Sequence, residues 1–250
     1  MNGRLVLVGL GPGDPHMQTP QAAAALASAT DLVGYGPYLD RVAPRPDLVR
    51  HASDNREELS RARHALALAQ AGRRVAVVSS GDTGVFAMAS AVFEAIEHGA
   101  PEWRDLDIEV IPGISAMFAV AARVGAPLGH DFCAISLSDN LKPWETVTRR
   151  LAAAAGAGFV VALYNPISRA RPWQLPAAFA LLREILPGPT PVVFATAISR
   201  ADEAIDIVAL ADADPERADM RTLILVGTAA TRRIERTDAS PWLYTPRGSA

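Results

Sequence analysis

The chain has 250 residues, of which 50% are hydrophobic, and its formal net charge is −3. This length allows one large domain or two small ones with a hydrophobic core. The weak acidic charge disfavours nucleic acid or an anionic membrane surface as a partner. The single cysteine, Cys133, excludes an intramolecular disulfide, and a reducing cytoplasm is the expected location. No signal peptide or membrane-spanning stretch is predicted, because charged residues, glycine or proline interrupt every apolar run.

The first half of the chain alternates predicted strands with predicted helices. A helix is predicted after Thr19, a typical N-cap, with Pro20 at its first position. Another helix should begin directly after residues 81–84, with Val85 on its buried face, and end at Gly99. Strands of a parallel sheet are predicted over residues 4–9, 31–34, 73–80 and 107–111. The first is apolar on successive residues, which is typical of a central strand covered on both faces.

The second half repeats this pattern and ends in a tail that looks polar and irregular from Thr231 onwards. Its apolar runs predict strands over residues 132–137, 159–164, 191–196 and 222–226. Alternating strands and helices are typical of an α/β fold, with mostly parallel or mixed sheets flanked by helices. We therefore predict two α/β domains, residues 1–112 and 113–250, with Pro112-Gly113 as a hinge.

The loops after the predicted strands are the expected ligand sites, because ligands of parallel α/β sheets collect beyond the carboxyl ends of the strands. Five loops are rich in residues whose backbone can approach a ligand closely, although each could also be only a structural turn. They are residues 9–15, 81–84, 112–116, 165–169 and 196–200. The first contains Gly9-x-Gly11-x-Gly13, but the complete dinucleotide fingerprint and its acidic residue after the second strand are absent. A nicotinamide cofactor is therefore disfavoured.

Basic and aromatic side chains in and near these loops indicate what kind of substrate would fit. Around one cleft they would suit a large flat molecule with several carboxylates, because guanidinium groups pair with carboxylates and aromatic faces stack on a ring. The candidates are Tyr35, Tyr38, Arg56, Lys142, Trp144 and Arg169, with Arg171 and Trp173 beside them.

Other chemistries find little support in the sequence. The five histidines lack metal-binding spacing and no Cys-x-x-Cys pair occurs, so no metal site is predicted. The Gly-x-Ser-x-Gly elbow of serine hydrolases is also absent. Four aspartates could act as acids, bases or helix caps, namely Asp14, Asp54, Asp82 and Asp139.

Four motifs that follow predicted strands occur together in this chain. They are Val8-Gly9-Leu10-Gly11-Pro12-Gly13-Asp14-Pro15, Ser80-Gly81-Asp82-Thr83-Gly84-Val85-Phe86, Ile111-Pro112-Gly113-Ile114-Ser115-Ala116 and Leu163-Tyr164-Asn165-Pro166. Together they resemble the tetrapyrrole (corrin/porphyrin) methyltransferase family over nearly the whole chain. Residues 34–39, 53–57 and 137–144 resemble the branch of that family that acts on precorrin-3B.

The resemblance implies two α/β domains facing each other across an active-site trough, as in class III methyltransferases, and a homodimer. It also implies S-adenosylmethionine as the methyl donor, released as S-adenosylhomocysteine. Carried over by motif, the cofactor-binding residues are Pro12, Gly81, Asp82, Thr83, Val85, Phe86, Ser115, Ala116, Leu163, Tyr164, Asn165, Thr196, Ala197 and Thr222.

The activity implied by the resemblance is methylation of C17 of precorrin-3B, with ring contraction to precorrin-4, in cobalamin (vitamin B12) biosynthesis. The protein would act chiefly by orienting the methyl carbon towards the ring carbon. A proton must also move, and Asp82 and Asp139 are the catalytic candidates because they occupy the predicted ligand loops. Replacing either with Asn is expected to slow turnover and to leave cofactor binding nearly intact.

Two alternatives to this function stay open at the level of the sequence. One keeps the fold and changes the substrate to cobalt-factor III or another precorrin. The other is a non-catalytic tetrapyrrole carrier, which would not bind S-adenosylmethionine.

Overall fold

The computed structural model describes residues 3–54 and 57–248. The chain divides into two units, Met1–Ala116 and Met117–Ala250, each built around its own sheet and helices. The predicted α/β class with parallel and mixed sheets is therefore confirmed. The predicted boundary between two domains, after residue 112, stays a prediction. None of the helices in the described ranges has both the length and the apolar character needed to cross a bilayer.

The first unit contains a five-stranded sheet in which every paired strand is parallel. Its strands are β1 (Arg4–Gly9), β2 (Asp31–Tyr35), β3 (Val49–Ser53), β4 (Arg74–Ser79) and β5 (Asp107–Ile111), in the order β3-β2-β4-β1-β5. Its helices are α1 (Pro20–Ser28), α2 (Gly36–Leu39), α3 (Glu58–Gln70) and α4 (Met88–His98), with 3-10 helices at Pro15–Met17 and Pro101–Asp105.

The central strand β1 explains how this sheet is buried on both faces. Leu5 and Leu7 pack in one cluster with α3 and α4, whereas Val6 and Val8 pack in another cluster with α1. Successive side chains of a strand point to opposite faces, so a continuous apolar run is what a doubly covered strand requires. The edge strand β3 is mostly half-exposed and lacks such a run, which is why the apolar pattern does not predict it.

The start of α1 is as predicted, because the Thr19 hydroxyl accepts from the backbone N–H of Ala22 at 3.1 Å. The start predicted for α4, directly after residues 81–84, was wrong. Helix α4 begins at Met88, so Val85 lies in the preceding loop. Phe86 adopts a φ of 51°, which a right-handed helix cannot contain. The loop is thus longer than its motif suggested.

The second unit contains a mixed five-stranded sheet and a small three-stranded sheet. Its strands are β6 (Gly125–Ala126), β7 (Phe132–Ser136), β8 (Val160–Tyr164), β9 (Pro191–Thr196), β10 (Ala204–Ala209), β11 (Thr222–Val226), β12 (Arg232–Arg236) and β13 (Ala239–Tyr244). Helices α6 (Trp144–Gly156) and α7 (Gln174–Ile185) belong to it, as does all of α5 (Ala116–Val124) after its first residue, and 3-10 helices occupy Leu210–Asp212 and Pro215–Arg217.

The direction of β11 determines which residues share the edge of the larger sheet. The strand order is β10-β9-β11-β8-β7, and β11 runs antiparallel to both β8 and β9. The amino end of β11 therefore lies beside the carboxyl ends of β8 and β9. Thr222, the first residue of β11, therefore lies at the same edge as the last residues of β8 and β9.

The prediction of an irregular tail was wrong. Residues from Arg232 form a hairpin, β12 and β13, that pairs with β6 to give the three-stranded sheet. All five residues of β12 are exposed, so no apolar face marks the strand in the sequence. Asp238 takes a positive φ of 56° in the turn between the two strands.

Candidate active site

In the first unit, the loops after β1 and β4 are joined by backbone hydrogen bonds at the carboxyl edge of the sheet. The N–H of Gly11 donates to the carbonyl of Gly81 at 3.0 Å, and the N–H of Gly81 donates back to the carbonyl of Gly11 at 2.8 Å. Gly81 has a φ of +68°, a conformation that favours glycine. Two of the predicted ligand loops therefore form one structure.

The loop after β5 packs directly against these two. A Cβ built on Gly113 would lie 2.2 Å from the carbonyl oxygen of Gly81 and 2.9 Å from the Cα of Gly9. A Cβ on Gly9 would lie 2.6 Å from the nitrogen of Gly113. Both positions need glycine because backbone meets backbone here.

Asp82 links the loop after β4 to the loop after β5. One carboxylate oxygen accepts from the N–H of Gly84 at 2.8 Å, and the other accepts from the N–H of Gly113 at 2.9 Å. Hydrogen bonds from N–H groups to an ionised carboxylate are stronger than those between neutral groups. Asp82 therefore connects the loop after β4 to the loop after β5.

Arg41 is a residue that the sequence reasoning missed. Its Nη2 donates to the carbonyl oxygens of Leu10 and Gly11, at 3.0 and 2.9 Å, and its Nη1 donates to the hydroxyl of Ser80 at 3.0 Å. A single guanidinium thus ties together the loops after β1 and β4. A lone arginine after a short helix gives no sequence signal that its targets are carbonyl groups.

The structure places the remaining cofactor candidates of the first unit around these turns. Pro12, Thr83 and Ser115 are buried, Val85 and Ala116 are partly exposed, and Phe86 is 48% exposed. A Cβ on Gly81 would make ordinary contact, at 3.7 Å, with the nitrogen of Ala116. The segment that begins α5 is therefore brought beside the glycine-rich turns.

Tyr35 and Tyr38, two of the substrate candidates, lie at the same edge of the first sheet. The rings of Tyr35 and Tyr38 meet edge to face with centroids 5.3 Å apart. Arg56 falls outside the described residues. Nearby, Arg61 is only 5% exposed and donates to the Ser53 hydroxyl at 2.7 Å and to the carbonyl of Asp54. Burial lowers the pKa of Arg61, and the surrounding acidic groups oppose that shift.

In the second unit, the carboxyl edge of β8 carries three of the cofactor candidates. Leu163 is fully buried in the core, so only its backbone faces a possible ligand. The Tyr164 hydroxyl accepts from the N–H of Met117 at 3.2 Å. The Asn165 amide donates to the Ser136 hydroxyl at 3.0 Å, and its backbone has a φ of 51°.

The last three cofactor candidates meet at the neighbouring strands. Thr196 ends β9 and Thr222 begins β11, and their hydroxyl oxygens are 2.7 Å apart because the antiparallel register pairs the two residues. Ala197 follows with a φ of 52°. The structure therefore brings Thr222 to the same sheet edge as Thr196 and Asn165.

Beyond this edge lie Asp139 and the substrate candidates of the second unit. The rings of Trp144 and Trp173 meet edge to face with centroids 4.9 Å apart. Burial, together with the charge of Arg150, lowers the pKa of Lys142. Arg169 is exposed on the loop between β8 and α7.

Arg171 lies on the same loop as Arg169, between β8 and α7. It donates to the carbonyl of Asn165 at 3.1 Å. Burial lowers the pKa of Arg171, and the charge of Asp139 opposes that shift. Across residues 3–54 and 57–248, no three His, Cys, Asp or Glu side chains converge as a metal site.

The model of one protein family, described as Tetrapyrrole (Corrin/Porphyrin) Methylases, matches residues 4–214. This chain belongs to that family. A precorrin-3B C(17)-methyltransferase of Sinorhizobium sp. is 58% identical over 99% of this chain and 97% of its own length. A probable cobalt-factor III C(17)-methyltransferase of Salmonella typhimurium is 40% identical over 91% of this chain and 93% of its own. The crystal structure of the methyltransferase CobJ is 55% identical, with a TM-score of 0.93 over 98% of this chain and 100% of that one.

Arg41 gives a first testable prediction for this tetrapyrrole methylase. Replacing Arg41 with Gln removes a charged donor to two carbonyl groups, and Arg41→Lys keeps the charge but lacks the guanidinium fork. Each lost charged hydrogen bond is worth about 1.5–3 kcal/mol, so we expect S-adenosylhomocysteine to bind about tenfold more weakly to Arg41→Gln. Calorimetric titration measures this, with exposed Arg63→Gln on α3 as the control. Wild-type affinity in Arg41→Gln would show that the turns do not need this clamp.

Proposed function

We propose that this protein is an S-adenosylmethionine-dependent methyltransferase that methylates C17 of precorrin-3B, with ring contraction to precorrin-4, in cobalamin biosynthesis. The observation that carries the proposal is the 58% identity to the precorrin-3B C(17)-methyltransferase of Sinorhizobium sp. over 99% of the chain. The matched region covers 99% of the chain and therefore spans both units. Function resides in such sites rather than in the fold alone.

The cofactor is proposed to bind at the loops that carry the family motifs. In the first unit these residues are Pro12, Gly81, Asp82, Thr83, Val85, Phe86, Ser115 and Ala116, and in the second unit they are Leu163, Tyr164, Asn165, Thr196, Ala197 and Thr222. A feature of the backbone supports this set. In residues 3–54 and 57–248, five non-glycine residues have a positive φ, and three of them, Phe86, Asn165 and Ala197, belong to the set. Backbone strain of this kind concentrates at functional sites.

The residues present also offer backbone and polar groups that suit a sulfonium nucleoside. The turns around Gly81 offer backbone close to any bound group, because Gly9, Gly81 and Gly113 carry no side chains. The hydroxyls of Thr196 and Thr222 offer polar atoms at the second sheet edge. S-adenosylmethionine would supply the methyl group, and the chain would orient it and exclude water.

For the substrate, we propose contacts from Tyr35, Tyr38, Arg56, Lys142, Trp144 and Arg169, with Asp82 and Asp139 as the groups that could take up a proton. Paired aromatic rings and nearby cations suit a flat tetrapyrrole with several carboxylates. We further propose that the protein works in the cytoplasm as a homodimer with the small-molecule tetrapyrrole as its partner, and not with nucleic acid or a membrane.

The test is a turnover assay with purified protein, methyl-labelled S-adenosylmethionine and either precorrin-3B or cobalt-factor III. We expect label to enter precorrin-3B and the product to be precorrin-4 by mass spectrometry. Exclusive turnover of cobalt-factor III would favour the alternative suggested by the 40% identical relative. A protein that binds the tetrapyrrole but neither transfers label nor binds S-adenosylhomocysteine would be a carrier, and the methyltransferase proposal would then be rejected.

A further inference from the structure

The side chain of Gln174 holds the carboxylate of Asp139 in the second unit. Gln174 is the first residue of α7 and is 1% exposed. Its amide nitrogen lies 3.1 Å from both carboxylate oxygens of Asp139 and donates to them. Among the described residues, the buried amide oxygen Oε1 of Gln174 has no hydrogen-bond partner. Leaving a buried acceptor unpaired costs about 1–3 kcal/mol, so stability alone does not account for a glutamine here.

A neutral donor constrains a carboxylate without neutralising it. The contrast within this chain is Asp31, whose buried carboxylate accepts from the Arg73 guanidinium at 2.7 Å. Asp139 faces the charge of Arg171, but the guanidinium of Arg171 donates to the carbonyl of Asn165. The amide of Gln174 therefore fixes where the Asp139 carboxylate points without forming an ion pair with it.

The location of this pair matches a place where substrate chemistry could occur. Asp139 follows β7 at the sheet edge that also carries Asn165, whose side chain donates to Ser136 at the end of β7. The paired rings of Trp144 and Trp173 adjoin the same segments, since Trp173 directly precedes Gln174. An oriented carboxylate here lies among side chains suited to a flat acidic ring.

We propose that Gln174 is a positioning residue, which orients the Asp139 carboxylate to accept the proton that the tetrapyrrole releases during methyl transfer. The sulfur–methyl bond breaks with its electron pair staying on sulfur, and a ring electron pair forms the new carbon–carbon bond. The ring thereby gains one positive charge, and loss of one proton to the Asp139 carboxylate restores the original charge. This inference rests on the proposed function.

Two variants of Gln174 test the proposal by steady-state kinetics on precorrin-3B. Gln174→Met keeps the volume and removes the amide, and we expect kcat to fall at least about tenfold, as for a misdirected general base. Gln174→Glu places a second carboxylate against Asp139, and two carboxylates in contact share a proton. We therefore expect its activity to be low near neutral pH and to recover as the pH rises. The Kd of S-adenosylhomocysteine should not change in either variant.

Thermal unfolding supplies a readout that is independent of turnover. In Gln174→Glu the shared proton raises the pKa of the pair in the folded state, so stability should fall between about pH 5 and about pH 8 relative to the wild type. The double variant Gln174→Glu/Asp139→Asn should lose this pH dependence. Gln70→Glu on the exposed face of α3 is the matched control, because its side-chain oxygen accepts from Trp103 and an acceptor is retained.

The outcomes separate this inference from the proposed function. An active wild type, with Gln174→Met and Gln174→Glu at wild-type kcat and pH profile, overturns the positioning role alone. A loss of stability in both variants without any change in kcat would mean that the contact between Gln174 and Asp139 only stabilises the start of α7. That result also overturns the positioning role. A wild type inactive on precorrin-3B rejects the proposed function and this inference with it, even where the unfolding data establish the contact.

Discussion

Adding one methyl group at Gly113 is expected to weaken S-adenosylhomocysteine binding strongly and to slow methyl transfer. In Gly113→Ala the new Cβ would lie 2.2 Å from the carbonyl oxygen of Gly81 and 2.8 Å from the carbonyl carbon of Gly9. Those atoms belong to the backbone, so no side-chain rotation relieves the overlap and the three turns must separate. A displacement of about 1 Å in a binding site can cost about a hundredfold in rate, and we expect at least this loss of kcat/KM.

The comparison for Gly113→Ala is Gly156→Ala, because a Cβ at Gly156 in α6 would meet no atom within 4 Å. Overpacking costs about 1–3 kcal/mol, so circular dichroism should show Gly113→Ala folded with a lowered Tm. If Gly113→Ala is insoluble, Gly9→Ala tests the same contact through the nitrogen of Gly113 at 2.6 Å. A folded Gly113→Ala with wild-type affinity would mean that the packed turns are not the cofactor site.

Much of the fold follows from local patterns in the sequence. Strands β1, β5, β9 and β11 have the predicted bounds. The strands β1, β9 and β11 are mostly buried, as their apolar runs predict, whereas β5 lies at the edge of its sheet and is partly exposed. Thr19 marks the start of α1 because hydroxyl capping is a local interaction. These features depend on residues that are close together in the sequence, so local sequence patterns predict them.

Features that depend on distant partners were not predicted. The edge strand β3 is defined by its pairing with β2. Strand β12 was missed for another reason, because all five of its residues are exposed although its partner β13 follows directly. The position of Thr222 at the ligand edge follows from the antiparallel direction of β11, whereas its place in the predicted cofactor set came from a family motif. Sequence periodicity does not encode the direction of a strand.

The side-chain roles show the same limit. The loops at both sheet edges were predicted from their composition, but the residues that hold them were not. Arg41 and Gln174 act through carbonyl and carboxylate groups far away in sequence, at separations of 30 and 35 residues for Gly11 and Asp139. Such contacts exist only once the sheets have formed.

Asp82 shows how the structure changes an expectation drawn from the sequence. As a simple acid or base, Asp82→Asn should slow turnover without weakening the cofactor. Its two carboxylate oxygens, however, accept from the N–H groups of Gly84 and Gly113. An asparagine offers one acceptor oxygen, and its NH2 group would face the other backbone N–H. We therefore expect Asp82→Asn to bind S-adenosylhomocysteine about tenfold more weakly, since a lost hydrogen bond to a charged group is worth about 1.5–3 kcal/mol.

Asp139→Asn is the matched comparison, because it makes the same chemical change at a carboxylate held by a side-chain amide. There kcat should fall while the Kd of S-adenosylhomocysteine stays unchanged. Two measurements separate the two aspartates. Calorimetry gives the Kd of S-adenosylhomocysteine, and steady-state kinetics at saturating precorrin-3B gives kcat and the KM for S-adenosylmethionine. If Asp82→Asn keeps wild-type affinity and loses only kcat, Asp82 acts on the substrate and its hydrogen bonds to the two turns are dispensable. If its kcat is retained at saturating S-adenosylmethionine, Asp82 serves the architecture of the turns, and Asp139 is left as the proton acceptor.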